Sequence, residues 1–344
     1  MKTKKIRQED IAKAARVSVS TVSRVLSGTP GISEDTRSHV LKVSSDMGND
    51  NMILPNALVS ANAVRLKRAL LFLNESDTYQ GIGAIYSFIV DGLRQAADDA
   101  SLPIEFAVIG EDGEIPQQLL GDAQTGVLFA GIDPSAKLIK KLVKNGNPSV
   151  LVNGLDLSMQ LDHVAPNNLF GGMLAAKHII ENGHQSILHV GTERRWTLRT
   201  RSEGFLLGIN IYGDERSHCE TLMLPNLTEA HARKALETLD EVKPFPYSAI
   251  FCSSDSVALI VMQELRLRGL QVPDDVSVLG FNGTPIAELS SPPLSTLRVD
   301  WEHVGAEAIR LLLRRAADPQ SPTQQSLIQA SLVPRGSIFS RANA

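Results

Sequence analysis

No run of about 18 uncharged apolar residues occurs in this chain of 344 residues, and its start, MKTKKIRQEDIAKAARV, has lysines but no apolar signal core before its acidic residues. A spanning helix or a secretory leader needs such a stretch, so a soluble, cytoplasmic protein is expected, with no membrane partner. Only two cysteines are present, Cys219 and Cys252. They are too few for a disulfide framework and lack metal-ligand spacing, so both read as buried thiols.

Catalytic signatures are missing as well. The serines of SVSTVS have no base arranged for them, no G-x-S-x-G elbow occurs, and Gly81-Ile82-Gly83 lacks the third glycine of a dinucleotide loop. His178, His184 and His189 are spaced by six and five residues, which does not place them on one helical face, and HIIENGHQSILHVG reads as helix, turn, strand. Neither a metal nor a cofactor is expected, and the chain does not read as an enzyme.

Charge is present but uneven. Through Arg68 there are 12 Lys/Arg against 6 Asp/Glu, while the remainder carries 22 against 32. A basic head therefore precedes an acidic body. The head also carries periodic apolar residues, which disordered basic arms lack, and this combination points to a folded nucleic-acid-binding head. A small-molecule carrier with no DNA role is disfavoured by that head and by the missing export signal.

Within the head, Ile11, Ala12 and Ala15 recur at helical spacing behind Glu9 and Asp10, whose charge suits a helix N-terminus. After a brief turn, VSVSTVSRVLSG restarts: Ser18 can cap, Val22, Val25 and Leu26 form a buried face, and Gly28 suits the residue after the helix end. A third helix follows in ISEDTRSHVLKVSSDMG, with Ser33 as cap and Val40, Leu41, Val43 and Met47 turned inward. Three such helices make a helix-turn-helix unit. Its second helix leaves Val19, Ser20, Thr21, Ser23 and Arg24 outside the core. Hydroxyls suit phosphates, a small apolar group suits a thymine methyl, and an arginine can fork onto guanine O6 and N7 in the major groove.

The body alternates short apolar runs, ALLFLN, GVLFAG, PSVLVNG, SILHVG, SAIFCSSD and VSVLGFN, with helical stretches such as SFIVDGLRQAADDA and DSVALIVMQELRLRGL. That alternation predicts parallel sheets covered by helices, and six or more strands over about 275 residues fit two Rossmann-like lobes better than one. Ligands of such sheets collect at the carboxyl ends of the strands.

DIAKAARVSVSTVSRVLSGTPGISEDTRSHVL resembles the heads of the LacI/GalR family of bacterial transcriptional regulators, and the resemblance continues through PNAL, NNLFGGMLAAKHIIENGHQSILHVG, RSEGF, SSDSVALIVMQELRLRGLQVPDDVSVLGFN, SPPLSTLRVD and LVPRGS. It implies an all-α helix-turn-helix head at 1–49, a hinge linker at 50–67, and an α/β core of the periplasmic-binding-protein type I fold at 68–344. The N-lobe would comprise about 68–165 and 297–328, and the C-lobe about 166–296 and 329–344. It further implies that Val19, Ser20 and Arg24 read base edges and that Thr21 and Ser23 hold phosphates. The implied partners are a near-palindromic double-stranded operator, a small-molecule effector, and a second copy of the chain, as a homodimer or a tetramer built from it. Repression of carbohydrate or sugar-acid genes is the implied role.

For the effector cleft, the resemblance implies Ile85, Tyr86, Asn167, Thr197, Arg201, Leu227, Asp255 and Asn282. Relatives usually carry acids at the positions of Asn167 and Asn282 and an aromatic platform near Leu227; here the arginine remains while the acids are amides. Together with Arg194, Arg195 and Arg199 in TERRWTLRTR, this favours an anionic sugar derivative, with Arg201 as its holder and the ligand as the counter-ion of an otherwise unpaired guanidinium. The alternatives are a slipped alignment, or Trp196 as the stacking face. The hinge departs too. Asn56 and Ala57 fit a helix start, but the residue matching the family's minor-groove leucine is Asn62, so the wedge is Leu58, the register is shifted, or the operator is bent less.

Overall fold

The computed structural model describes residues 7–26, 32–47, 63–74, 85–109, 123–238 and 244–341. The chain divides into two compact units, Met1–Ala63 and Val64–Ala344.

In the first unit, α1 spans Gln8–Ala15, α2 Val19–Leu26 and α3 Glu34–Asp46. Arg16 ends α1 in the left-handed region at φ 55°, which turns the chain into α2 within three residues. Ser18 Oγ accepts from Thr21 N at 3.0 Å and Ser33 Oγ from Thr36 N at 3.4 Å, so both serines cap as their positions predict. Ile11, Ala12, Ala15, Val22, Val25 and Val40 form the core, with Val43 and Met47 packed on it. The side chains of Leu26 and Leu41, and all of Gly28, lie outside the described residues.

The second unit holds two six-stranded sheets. The first is built from β1 Arg68–Asn74, β2 Ile104–Ile109, β3 Thr125–Ala130, β4 Ser149–Val152, β5 Asp162–Pro166 and β11 Gln325–Ile328, in the order β11-β5-β4-β3-β1-β2, with every pairing parallel. The second uses β6 Ser186–Gly191, β7 His218–Met223, β8 Ala249–Cys252, β9 Ser277–Asn282, β10 Ser295–Arg298 and β12 Ser331–Val333, in the order β12-β10-β9-β8-β6-β7. Among the described residues only β10 and β12 pair antiparallel. The two orders match place for place, so the lobes repeat one topology apart from the reversed direction of β12. The strands of the apolar runs are buried along nearly their whole length, as parallel strands covered on both faces must be.

Helices cover the sheets: α4 Ile85–Asp99, α5 Ala136–Asn145 and α11 Trp301–Ala317 belong with the first, and α6 Asn168–Glu181, α7 Trp196–Tyr212, α8 Glu229–Glu237, α9 Asp255–Leu267 and α10 Pro285–Leu289 with the second. Two helix pairs, α6 with α7 and α4 with α11, meet at backbone distance. A Cβ on Gly204 would stand 2.1 Å from Leu169 O, and one on Gly305 2.1 Å from Ile89 O, so glycine is a steric requirement at each crossing. Cys252 is fully buried, but Cys219 is only half-buried on β7, which corrects the expectation of two buried thiols. That strand lies at the sheet edge and exposes most of its side chains. Among the described residues no helix is long and apolar enough to cross a membrane.

Candidate functional site: recognition helix and interlobe cleft

Helix α2 buries Val22 and Val25 completely and leaves Val19, 44 % exposed, with Ser20, Ser23 and Arg24 on the outside; Thr21 is half-buried. Ser18 Oγ lies 2.7 Å from Ser20 Oγ and 2.8 Å from Thr21 Oγ1, so the cap residue ties the hydroxyls of the first turn into one cluster. An eight-residue helix is marginal by itself. Its burial against α1 and α3 is what holds the outward face in place. The hinge candidates Asn56, Leu58 and Asn62 lie outside the described residues.

The cleft follows from the strand orders. In each sheet the chain reverses its winding beside the second strand from one edge, between β1 and β3 and between β6 and β8, and ligands bind at the carboxyl ends of strands at such points. From the first lobe, Tyr86 enters at the start of α4, Asp133 follows β3 and Asn153 follows β4; from the second, Arg195 follows β6. These four converge. Arg195 Nη2 donates to Asp133 Oδ1 at 3.1 Å and to the Asn153 carbonyl at 2.9 Å, Nη1 donates to Tyr86 Oη at 2.9 Å, and Asn153 Nδ2 donates to the same hydroxyl at 3.2 Å. Asp133 and Asn153 were not legible as cleft residues, since nothing in their local sequence marks them.

A second cluster surrounds Arg201, which is 2 % exposed. Its Nε and Nη2 donate to Asn168 Oδ1 at 3.0 and 2.7 Å, its Nη1 donates to the Ser253 carbonyl and, at 3.3 Å, to Asn282 Oδ1, and the guanidinium lies 3.5 Å from the centroid of the Phe281 ring. The premise that this arginine lacks internal partners is therefore corrected. Its partners are neutral oxygens, supplied by the residue after Asn167 and by the ends of β8 and β9, rather than carboxylates. Burial lowers its pKa to about 9, with the field of Asp255 opposing the shift. The flanking arginines are also engaged: Arg195 with Asp133, and Arg199 with Glu203 at 3.2 Å and over the Trp196 ring at 5.2 Å.

The other residues expected in the cleft divide. Asn167 caps α6, accepting from Phe170 N at 3.4 Å, and its own backbone N donates to Ile328 O at 2.8 Å, so it ties the chain after β5 to the end of β11. Asn282, at φ 115°, offers its carbonyl to Trp301 Nε1 at 3.0 Å. Thr197 is buried in the first turn of α7, while Ile85 is half-buried at the start of α4. Two residues also bond or pack within the second lobe. Asp255 is fully buried and accepts from Thr284 N at 2.7 Å, Thr284 Oγ1 at 2.9 Å and Thr296 Oγ1, a structural role within the second lobe. Leu227 packs against the apolar cluster of α8 and α9. Half-buried Phe88 and buried Trp301 line, with Arg298 and Glu302, an open pocket of about 350 Å³ between the starts of α4 and α11 and the loop after β9.

Burial also sets the acid response. His184 and His189 are pushed down to about 4 by desolvation, partly offset by their backbone acceptors at Phe339 and Phe251, whereas burial raises Asp255 to about 6 against its hydrogen bonds from Thr296 and Thr284. Each histidine resists a proton that the unfolded chain accepts near 6.5, so it contributes stability above that pH that is lost as the pH falls toward 4. Asp255 acts oppositely, holding a proton in the folded state that the unfolded chain releases. Two histidines outweigh one acid, and stability is expected to fall by on the order of 3 kcal/mol between pH 7 and 4.5. Urea titrations at the two pH values check this. A flatter slope is expected in His184→Gln, and equal stability at both pH values contradicts the assignment.

Compared with known proteins, residues 8–48 match the family model described as bacterial regulatory proteins, lacI family, and residues 176–338 match that of a periplasmic binding protein-like domain. The chain is similar to the ribose operon repressor of Haemophilus influenzae, 25 % identical over 96 % of this chain and 98 % of that protein. It is 28 % identical to the HTH-type transcriptional regulator DegA of Bacillus subtilis over 95 % of this chain and 96 % of that one. Among solved structures, a transcriptional regulator CelR–cellobiose complex shares the fold with a TM-score of 0.67 and 24 % identity, covering 97 % of this chain and 100 % of that one.

Proposed function

Because the chain belongs to the lacI family of bacterial regulatory proteins, we propose that it is a ligand-responsive transcriptional repressor and not an enzyme. Two heads of a homodimer would bind the halves of a near-palindromic operator. The observation that carries this reading is the outward face of α2, with Val19, Ser20, Ser23 and Arg24 exposed on a helix anchored by Val22 and Val25. In this reading Val19, Ser20 and Arg24 meet base edges, Thr21 and Ser23 meet phosphates, and Asn56 with Leu58 or Asn62 forms the hinge at the minor groove.

The effector in this proposal is a carbohydrate or a sugar acid, held between the lobes by Ile85, Tyr86, Thr197 and the edge of the Asn167–Arg201–Asn282 cluster. One relative is named for the ribose operon, and a structural neighbour is a cellobiose complex. Amides at 167 and 282 can donate to an anion where carboxylates would repel it. Against an anion stands the internal pairing of Arg195, Arg199 and Arg201. Effector binding shifts the lobes and changes operator affinity by linkage, about 1–3 kcal/mol of coupling, or roughly 5- to 150-fold. Thermal-shift measurements with paired ligands, such as gluconate against glucose at matched ionic strength, test the ligand class. Stabilisation by the acid alone assigns a sugar acid, stabilisation by the neutral sugar alone assigns an ordinary sugar, and no stabilisation across a panel of sugars and sugar acids contradicts the proposal.

A further inference from the structure

We propose that Arg195 is a latch that draws the two lobes together with no effector in the cleft. The inference rests on the reading of the cleft as an effector site between movable lobes, and adds to it a device for setting the resting state. Arg195 stands at the end of the loop after β6, at the switch point of the second sheet. The acceptors on its guanidinium belong to the other lobe: Asp133 after β3, the Asn153 carbonyl after β4, and Tyr86 Oη at the start of α4. One side chain thus gathers three segments at the opposite switch point.

Its environment suits a bond that can open. The Arg195 side chain is 17 % exposed and that of Asp133 35 %, so water can replace either partner when the lobes part, unlike the arrangement around buried Arg201. The planar guanidinium makes the contact directional, since Nη2 serves Asp133 and Asn153 while Nη1 serves Tyr86. Asn153 stiffens the receiving side by donating from Nδ2 to that tyrosine hydroxyl. Gly154 follows, and a Cβ there would approach Arg195 Nη2 to 3.8 Å and Asp133 Oδ1 to 3.5 Å, which places the loop backbone beside the ion pair. An arginine in this position answers with protein groups the polar surface that an effector would otherwise meet. An effector then binds by taking over these acceptors or by enclosing the latch beside it.

The test is the distance between the lobes in the full-length, effector-free chain. Spin labels on cysteines introduced at exposed Lys140 on α5 and exposed Ala230 on α8, in a Cys219→Ser, Cys252→Ala background, report that distance by double electron–electron resonance. The latch predicts a short distance in the protein with Arg195 and Asp133 intact, and a shift to longer distances in both Arg195→Ala and Asp133→Asn, with thermal unfolding still cooperative. It predicts the same lengthening on raising salt with no substitution at either residue, which keeps the test available if a variant folds poorly. Wild-type distances in either folded variant, or a distance unmoved by salt, overturn it. No DNA and no effector enter the measurement, so absence of operator binding would sink the proposed function and leave the latch standing.

Discussion

Arg24→Ala is expected to bind the operator about 30- to 20,000-fold more weakly than the unaltered chain while its non-specific DNA binding changes little. A bidentate arginine–guanine contact contributes about 1–3 kcal/mol, and a two-fold complex loses it twice. The substitution leaves the fold of the head alone, because Arg24 is exposed and the core of that unit is made by Ile11, Ala12, Ala15, Val22, Val25 and Val40. Selection of binding sites from a random library is the check: the variant should return a consensus degraded at one position per half-site. An unchanged consensus would show that another face of α2 reads the groove.

Asn168→Leu is expected to destabilise the body by about 3–5 kcal/mol. The amide oxygen of Asn168 accepts from both Nε and Nη2 of Arg201, and an apolar residue there takes that acceptor from two nitrogens of a guanidinium that is 2 % exposed. Removing one partner of a buried charged pair costs more than removing both. The double variant Asn168→Leu, Arg201→Met should therefore be more stable than Asn168→Leu alone. Urea unfolding of the two single variants and the double gives the coupling. Additive losses would mean that the Asn168 contact is dispensable to Arg201.

Much of the architecture was readable because parallel strands buried on both faces must be continuous apolar runs, and six such runs appear as β1, β3, β4, β6, β8 and β9. Edge and short strands escaped for the opposite reason. β7 mixes exposed and half-buried residues, β11 alternates them, and β5 carries a buried Asp162 whose partner, Arg315 at 2.8 Å, lies 153 residues away. The same limit governs the cleft. Arg201, Asn167 and Asn282 stand in segments that resemble a family, so their positions were legible, but Asn168 as the arginine's acceptor was not. In the sequence Arg195 is only one of several charges in TERRWTLRTR. Its acceptors come from 42, 62 and 109 residues away, and no local pattern announces a contact made by the return of the chain. Partnerless charge is the easiest thing to infer from a sequence and the easiest to get wrong, since backbone carbonyls and amide oxygens leave no mark in it.

The most direct test of the account is a fluorescence-anisotropy titration of the full chain against the DNA upstream of its own gene, with and without a sugar or sugar acid found to stabilise it. The account predicts salt-sensitive, sequence-specific binding at nanomolar protein. It predicts also that the ligand moves the midpoint by roughly 5- to 150-fold, and that Arg24→Ala weakens the specific component by about 30-fold or more. Binding equal to that of unrelated DNA at every salt concentration, or a specific complex indifferent to every ligand that stabilises the body, would contradict it.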